Sequence, residues 1–476
     1  MSRAPLAALI VTGAVIRLLM AGASGLGIDE SYMVAAGRTL RLGYFDHPPF
    51  AWWLCAGIAD LLGSAAPIVV RLPFIALFAV SSWLMYRLAA SLFGARAGWW
   101  AALSFNLSPV FGVTTAGWVL PDGPLVCALL AAALCLVRAL SGGWRWWLGA
   151  GAAMGLALLA KYSAVLTLAG AVLYLATQPQ HRLWLRRPQP YVAALLAAAL
   201  FAPVVVWNAT HHWASFAFQG GRAGAEQVRP FGPLLVLGGE ALFVLPWIWL
   251  PMMAVWLRAR PADWRAWLPA CLGAPPIVLF ALIGLWSRHV LFHWAAPGYL
   301  MLFPLLGAGI AGMADRTLPR RVAAGTAALL LAVLLVVAID LRHSLLRPDP
   351  GLQAMDWTAL RPALAARGLF DPALVVAATG WQDAGKLDYG LGGGMTVICL
   401  GGDPRQYGLN TPADTVQGRD VLIVTRRPQD AEALAAQGIR FDATEALPPI
   451  VLTHPGGTGI RLFLLLGHRL ALRGEA

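Results

Sequence analysis

Side chains able to do chemistry are sparse in this chain, and they gather in a few short motifs. Asp29-Glu30 sets two carboxylates side by side. One reading is a helix start over residues 31–42, because acids favour the first helical turn. The other is that Asp29 is a general base that takes a proton from an attacking hydroxyl. Asp46-His47 stands before Pro48-Pro49, whose rings force an extended exit. A rigid turn would explain that run, yet Asp46 also suits sugar hydroxyls or a cation, and His47 suits a phosphate. Asp122, in Pro121-Asp122-Gly123-Pro124, is either an N-cap or a functional acid at an apolar boundary.

The cations are equally few in kind. Only two lysines occur, Lys161 and Lys386. Lys161 lies between two apolar runs, as a snorkelling side chain would, or as a point charge for phosphate. Arg222 follows Gly220-Gly221 and offers a second cation. Arg288, His289 and His293 share one short segment. On a helix the two histidines, four apart, would share a face as zinc ligands can. No third ligand is evident, so phosphate or sugar contact is the favoured reading for Arg288 and His293, and a divalent metal is left open.

These residues must be positioned by something, and the composition says what. Hydrophobic residues make up 59% and charged residues 12% of the chain, where soluble domains carry about 25% charge. A bilayer span needs ~20 mostly apolar residues. About eleven such stretches are read at 5–25, 67–90, 96–115, 121–139, 145–161, 163–178, 191–209, 233–257, 267–286, 295–314 and 322–341. The first is too long for a signal-peptide core and lacks a clear cleavage site, so it is expected to be a retained span. The segment 50–62, with Trp52 and Trp53, suits the headgroup region.

With the N-terminus inside, inner loops hold 14 basic residues and outer loops six. That bias follows the positive-inside rule. It also accounts for the net charge of +12 without a nucleic-acid partner. Asp29, Asp46, Asp122, Lys161, Arg222 and Arg288 then fall on one face of the membrane, the outer one. Of the five cysteines, four lie in apolar stretches, and no metal or disulfide spacing is seen.

From about residue 343 the character changes. Runs at 374–377 and 421–424 read as strands, 430–437 as a helix stopped by Gly438, and Gly392-Gly393-Gly394 as a turn. The expectation is therefore a transmembrane domain over 1–342 and a small extramembrane α/β domain over 343–476.

The ordered motifs over 1–342 resemble the bacterial polyprenyl-phosphate-sugar glycosyltransferases of the GT-C fold, namely protein O-mannosyltransferases and lipid A aminoarabinose transferases. The Asp29-Glu30 pair after the first span is similar to that family's signature. Phe45-Asp46-His47-Pro48-Pro49 resembles its acidic-basic-Pro-Pro element, although Asp-His stands where aminoarabinose transferases have Glu-Lys. Arg71-Leu72-Pro73, Asp122 and Lys161-Tyr162 also match.

The resemblance implies an inverting transfer from a polyprenyl-phosphate sugar to an envelope acceptor at the periplasmic face of a bacterial inner membrane. Asp29 would be the catalytic base, and Asp122 the second outer acid. Lys161, Arg222 and Arg288 would meet the leaving phosphate. Asp46 and Glu30 would position sugar, acceptor or cations. With one phosphate in the donor, no metal is obligatory. Two other classes remain: a flippase of a lipid-linked sugar, although no internal repeat is found, and a non-catalytic scaffold.

Overall fold

The computed structural model describes residues 4–222, 224, 227–343, 346, 351–355, 357–453 and 459–472. Arg3 and the residues just after 343, at the expected domain junction, lie outside the described residues. The helices of the first part are α1 (Ala4–Ala23), α2 (Ile28–Ala36), α3 (Phe50–Leu62), α4 (Pro67–Phe93), α5 (Ala95–Leu107), α6 (Asp122–Leu140), α7 (Trp144–Ala160) and α8 (Ala164–Thr177). They continue with α9 (Pro188–Thr210), α10 (Ala214–Gly221), α11 (Gly232–Val244), α12 (Pro246–Arg258), α13 (Trp264–Ile283), α14 (Ala296–Ala311) and α15 (Thr317–His343).

Each of the eleven expected spans is occupied by helix, but fewer are full length. Among the described residues, six helices (α1, α4, α6, α9, α13 and α15 to Leu341) are long and apolar enough to cross a bilayer, and α11 with α12 makes a seventh if counted as one broken span. The shortfall has local causes. The stretch expected at 96–115 ends as α-helix at Leu107, before Ser108-Pro109, and continues as a π-helical turn, Val110–Thr114. The stretch expected at 233–257 bends by 116°. Leu245 there has φ +84°, outside the helical region, and Pro246 follows it. The Ser108 hydroxyl donates to the Val244 carbonyl at 3.2 Å, so the break leaves that acceptor satisfied.

The chain divides into two compact units. The first holds the chain up to Leu18, Leu42–Ala51 and Arg71–Leu331. Its core runs through α5, α6, α7, α13 and α14, with Leu129, Leu130, Phe105, Phe111, Leu300 and Phe303 fully buried. Small residues set the helix spacings. A Cβ on Gly151 would meet the Ala193 carbonyl at 2.4 Å, and one on Gly307 would meet that of Ala97 at 2.3 Å. Backbones that close suit association in lipid, where apolar side chains gain little by leaving the solvent. Glu240 of α11, an acid the sequence analysis did not single out, is buried and accepts from the Tyr299 hydroxyl at 2.6 Å.

The second unit holds Leu19–Arg41, Trp52–Val70 and the chain from Ala332 onward. Its centre is a five-stranded sheet of β1 (Val375–Ala378), β2 (Thr396–Cys399), β3 (Val421–Thr425), β5 (Ala443–Thr453) and β6 (Gly459–His468), in the order β2-β1-β3-β6-β5. A small pair, β4 (Ile439–Arg440) with β7 (Ala471–Leu472), stands apart. The first three strands are parallel and β6 is antiparallel to its neighbours. β1 and β3 are buried throughout, as parallel strands covered on both faces must be. The crossover from β1 to β2 is α18 (Trp381–Leu391), which ends where Gly392 takes φ +65°. The remaining helices are α16 (Gly351–Ala354), α17 (Leu360–Ala365), α19 (Gln406–Asn410) and α20 (Ala431–Ala436), the last capped by the Asp430 side chain. Trp52, expected at the headgroups, is instead fully buried in this unit, edge-on to Tyr32 with ring centroids 5.4 Å apart.

Candidate functional site

The first unit brings an acid and a lysine together by simple hairpin geometry. α6 and α7 are antiparallel neighbours joined by Ser141-Gly142-Gly143, and Gly142 takes φ +110°. That turn lies midway between Asp122, the first residue of α6, and Lys161, the residue after α7. The two therefore meet at the same end of the hairpin. Lys161 Nζ lies 2.9 and 3.1 Å from the two Asp122 oxygens, with both side chains about 85% shielded from solvent (15% and 13% exposed). Asp122 is thus no N-cap: Pro121 holds that position and no side-chain cap is made. Nor does Lys161 snorkel to solvent. A pair this shielded must beat a desolvation cost, which suits a preorganised polar site.

Other candidates surround the pair. His47 and His293 lie within electrostatic reach of Asp122. His293, in the non-helical segment between α13 and α14, is pushed down to about 4, first by burial and then by the Lys161 charge. Asp122 opposes that shift and the Arg222 charge adds to it. His293 is therefore a neutral imidazole at pH 7. Because 284–295 is not helical, His289 and His293 share no helical face. Among the described residues, no three metal-ligating side chains converge.

The short helix α10 ties these parts together. Ser215 Oγ lies 2.7 Å from the Tyr162 hydroxyl. Phe218 packs on Phe45 with centroids 5.0 Å apart. Gln219 donates through its side-chain amide to the Asp46 carbonyl. Arg222, at the helix end, lays its guanidinium over the Trp294 ring at 4.6 Å, beside His293. The Tyr162 phenol is raised above its ordinary pKa, first by burial; the Asp46 charge adds to the shift, while bonds from Ser215 and Asn208 oppose it. Asp46 itself is 3% exposed.

Seven candidates therefore share one neighbourhood: Asp46, His47, Asp122, Lys161, Tyr162, Arg222 and His293. Arg288 does not join it; the side chain is exposed and makes no hydrogen bond or ion pair among the described residues. Sequence reasoning missed Ser215 and Gln219. The spacing Ser215, Phe218, Gln219, Arg222 was a usable signal, since those positions line one helical face.

Asp29 and Glu30 belong to the second unit, in the first turn of α2. They differ sharply. Glu30 is 3% exposed, and its carboxylate accepts from the Gly27 backbone N–H at 2.7 Å. It closes the helix start as the reaching acid of a capping box does. Asp29 is exposed. Both carboxylates stand in the first turn of α2, where acids are favoured, as the helix-start reading expects.

Comparison with known proteins adds to this geometry. The crystal structure of ArnT from Cupriavidus metallidurans in the apo state superposes with a TM-score of 0.66 over 98% of both chains, at 16% sequence identity. The chain has the GT-C fold. The undecaprenyl-phosphate-bound structure of the same protein matches this GT-C chain with a TM-score of 0.64, again over 98% of both chains at 15% identity. Residues 46–207 match the dolichyl-phosphate-mannose-protein mannosyltransferase family. That stretch contains Asp46, His47, Asp122, Lys161 and Tyr162. The lipid A galacturonosyltransferase RgtD of Rhizobium johnstonii is 24% identical over 292 residues. That match covers 57% of this chain and spans 58% of the relative's length.

Proposed function

We propose that this GT-C chain is an inverting glycosyltransferase that moves a sugar from a polyprenyl phosphate, undecaprenyl phosphate in particular, to a hydroxyl or phosphate of an envelope acceptor on the periplasmic side. The observation that carries the reading is the shielded Lys161–Asp122 pair with Arg222 and neutral His293 beside it. The ArnT structure with undecaprenyl phosphate supports the donor class. RgtD, a lipid A galacturonosyltransferase, supports an envelope acceptor.

In this reading the acceptor oxygen attacks the anomeric carbon as its proton passes to Asp29. The bond from that carbon to the phosphate oxygen breaks, and the electron pair leaves with the phosphate monoester. The growing negative charge on that phosphate is met by fixed cations, Lys161 and Arg222, which need no reorganisation at the moment of reaction. His293 accepts or donates a hydrogen bond without adding charge. Asp122 holds the Lys161 ammonium in place, and Asp46 with Tyr162 orients the sugar. Arg288, exposed in its loop, is assigned at most a contact with incoming substrate. No step calls for a metal ion.

Mass spectrometry of envelope lipids and glycans from wild-type, deletion and Asp29→Asn strains tests the proposal. One mass increment should vanish in both mutants, and undecaprenyl phosphate should still bind purified Asp29→Asn protein. Envelope spectra identical in all three strains would overturn it. A flippase would instead translocate labelled donor without releasing free polyprenyl phosphate.

A further inference from the structure

The second unit contains an arrangement that the transfer chemistry does not use. Lys386 of α18 is 3% exposed. Its ammonium donates to the carbonyl of Leu26, to that of Gln353 at 2.8 Å and to that of Met355 at 2.9 Å. A lysine has three protons to give, and burying an ammonium is costly unless it is satisfied. An apolar side chain here would leave those carbonyls without this donor, which is costly for buried acceptors. What the lysine does that an apolar residue cannot is fix three chain segments to one point. Leu26 is the residue before Gly27, the N-cap of α2, whose carbonyl accepts the Ser31 N–H at 2.9 Å.

The rest of α2 is held by the same region. A Cβ on Gly385 would lie 2.8 Å from the Tyr32 Cα, so α18 meets the middle of α2 at backbone contact. The Tyr32 ring sits among Trp52, Trp381 and Tyr407, and its hydroxyl accepts from the Gln406 N–H at 3.1 Å. At the far end, Asn410 donates to the Ala36 carbonyl at 3.0 Å, oriented by Gln406 at 2.9 Å. Arg38, just past the helix, pairs with the Asp388 carboxylate and donates to the Asp388 carbonyl at 3.0 Å. Tyr407 steadies that carboxylate at 3.1 Å. Entry, middle and exit of α2 are each anchored, although α2 itself has only nine residues and could not hold its shape alone.

We infer that the C-terminal α/β region is a clamp that positions α2, and with it Asp29, through the positioning residues Lys386, Asp388 and Asn410. This inference rests on the assignment of Asp29 as the base. A base must stay within hydrogen-bond reach of the proton it removes, and small misplacements of such a group are costly in rate. The clamp supplies that constancy from residues more than 300 positions away in the chain.

The test uses the full-length protein in detergent and expression-matched cells. Amide hydrogen exchange is measured over residues 27–38 in wild type, Lys386→Met, Asn410→Ala and Asp29→Asn. The same variants are scored for undecaprenyl phosphate affinity and for the envelope mass increment lost on deletion. Lys386→Met should speed exchange over 27–38 by tenfold or more and cut the modification by tenfold or more, with undecaprenyl phosphate affinity within twofold of wild type. Asn410→Ala, which loses a single bond, should show the same pattern at about threefold. Asp29→Asn should lose the modification with exchange unchanged. Unchanged exchange in both clamp variants would overturn the clamp. So would full modification in a Lys386→Met protein whose α2 exchanges faster. Full modification in Asp29→Asn would instead sink the base assignment, leaving the exchange result to judge the clamp alone.

Discussion

The chain's two lysines do opposite work in its two units. Lys161, in the first, faces a carboxylate, with an arginine and a neutral histidine nearby. Its charge is held by the Asp122 carboxylate. Lys386, in the second, has its protons directed at main-chain carbonyls. That charge is spent on architecture. One side chain type thus forms a shielded ion pair in one place and a structural joint in the other.

The comparison breaks most readily at Lys161. Lys161→Met should cut donor turnover by roughly 10²–10³, the usual cost of one fixed donor to a developing oxyanion, while α2 exchange stays at the wild-type rate. The same variant strands Asp122, so thermal stability should fall by about 1–3 kcal/mol. Adding Asp122→Asn should restore the stability and leave turnover low. Were turnover to recover as well, Lys161 would be a structural lysine like Lys386. Arg222→Ala comes next, with a loss of roughly tenfold in undecaprenyl phosphate affinity, about 1.4 kcal/mol. Equal affinity in titrations of wild type and variant would remove Arg222 from the phosphate site.

Gly385→Ala sharpens the other side of the comparison. Its new methyl group presses on the Tyr32 backbone, at a cost of about 1–3 kcal/mol for an overpacked contact. The unfolding midpoint should fall by several degrees in a thermal melt, with the Lys161 site still binding undecaprenyl phosphate normally.

The smallest effect belongs to His293. Its folded pKa of about 4 lies below the unfolded value near 6.5. A depressed histidine means that the unfolded chain takes up the proton first. Its contribution to stability is therefore full above about pH 6.5 and is lost as pH falls towards 4. Melting wild type and His293→Gln side by side should show the wild-type midpoint dropping faster across that window by roughly 2–4 °C. Transfer above pH 7 should have the same pH profile in both.

Much of this was readable from sequence, and the exceptions have physical causes. Apolar stretches of the right length located helix at each of the eleven expected spans, because bilayer thickness writes itself into composition, but the short α10 carries no such signal. Breaks at Ser108-Pro109 and Leu245-Pro246 were signalled by proline, yet a hydropathy window averages over them. Asp122 and Lys161 were picked singly. Their pairing depends on where the α6–α7 turn falls, and Gly142-Gly143 at the midpoint was the clue. Arg288 looked as good a cation as Arg222, but only Arg222 follows a helix that packs on the site. The role of Lys386 was not readable. Its acceptors are carbonyls from segments 33 and 360 residues away, and backbone atoms leave no mark in a sequence.

The account stands or falls on Asp29. Purified wild-type and Asp29→Asn proteins should be given the lipid-linked sugar donor extracted from the deletion strain, and release of free polyprenyl phosphate should be measured. The account predicts a loss of roughly 10²–10⁴ in the variant, with undecaprenyl phosphate binding unchanged. Release at the wild-type rate by Asp29→Asn would contradict it.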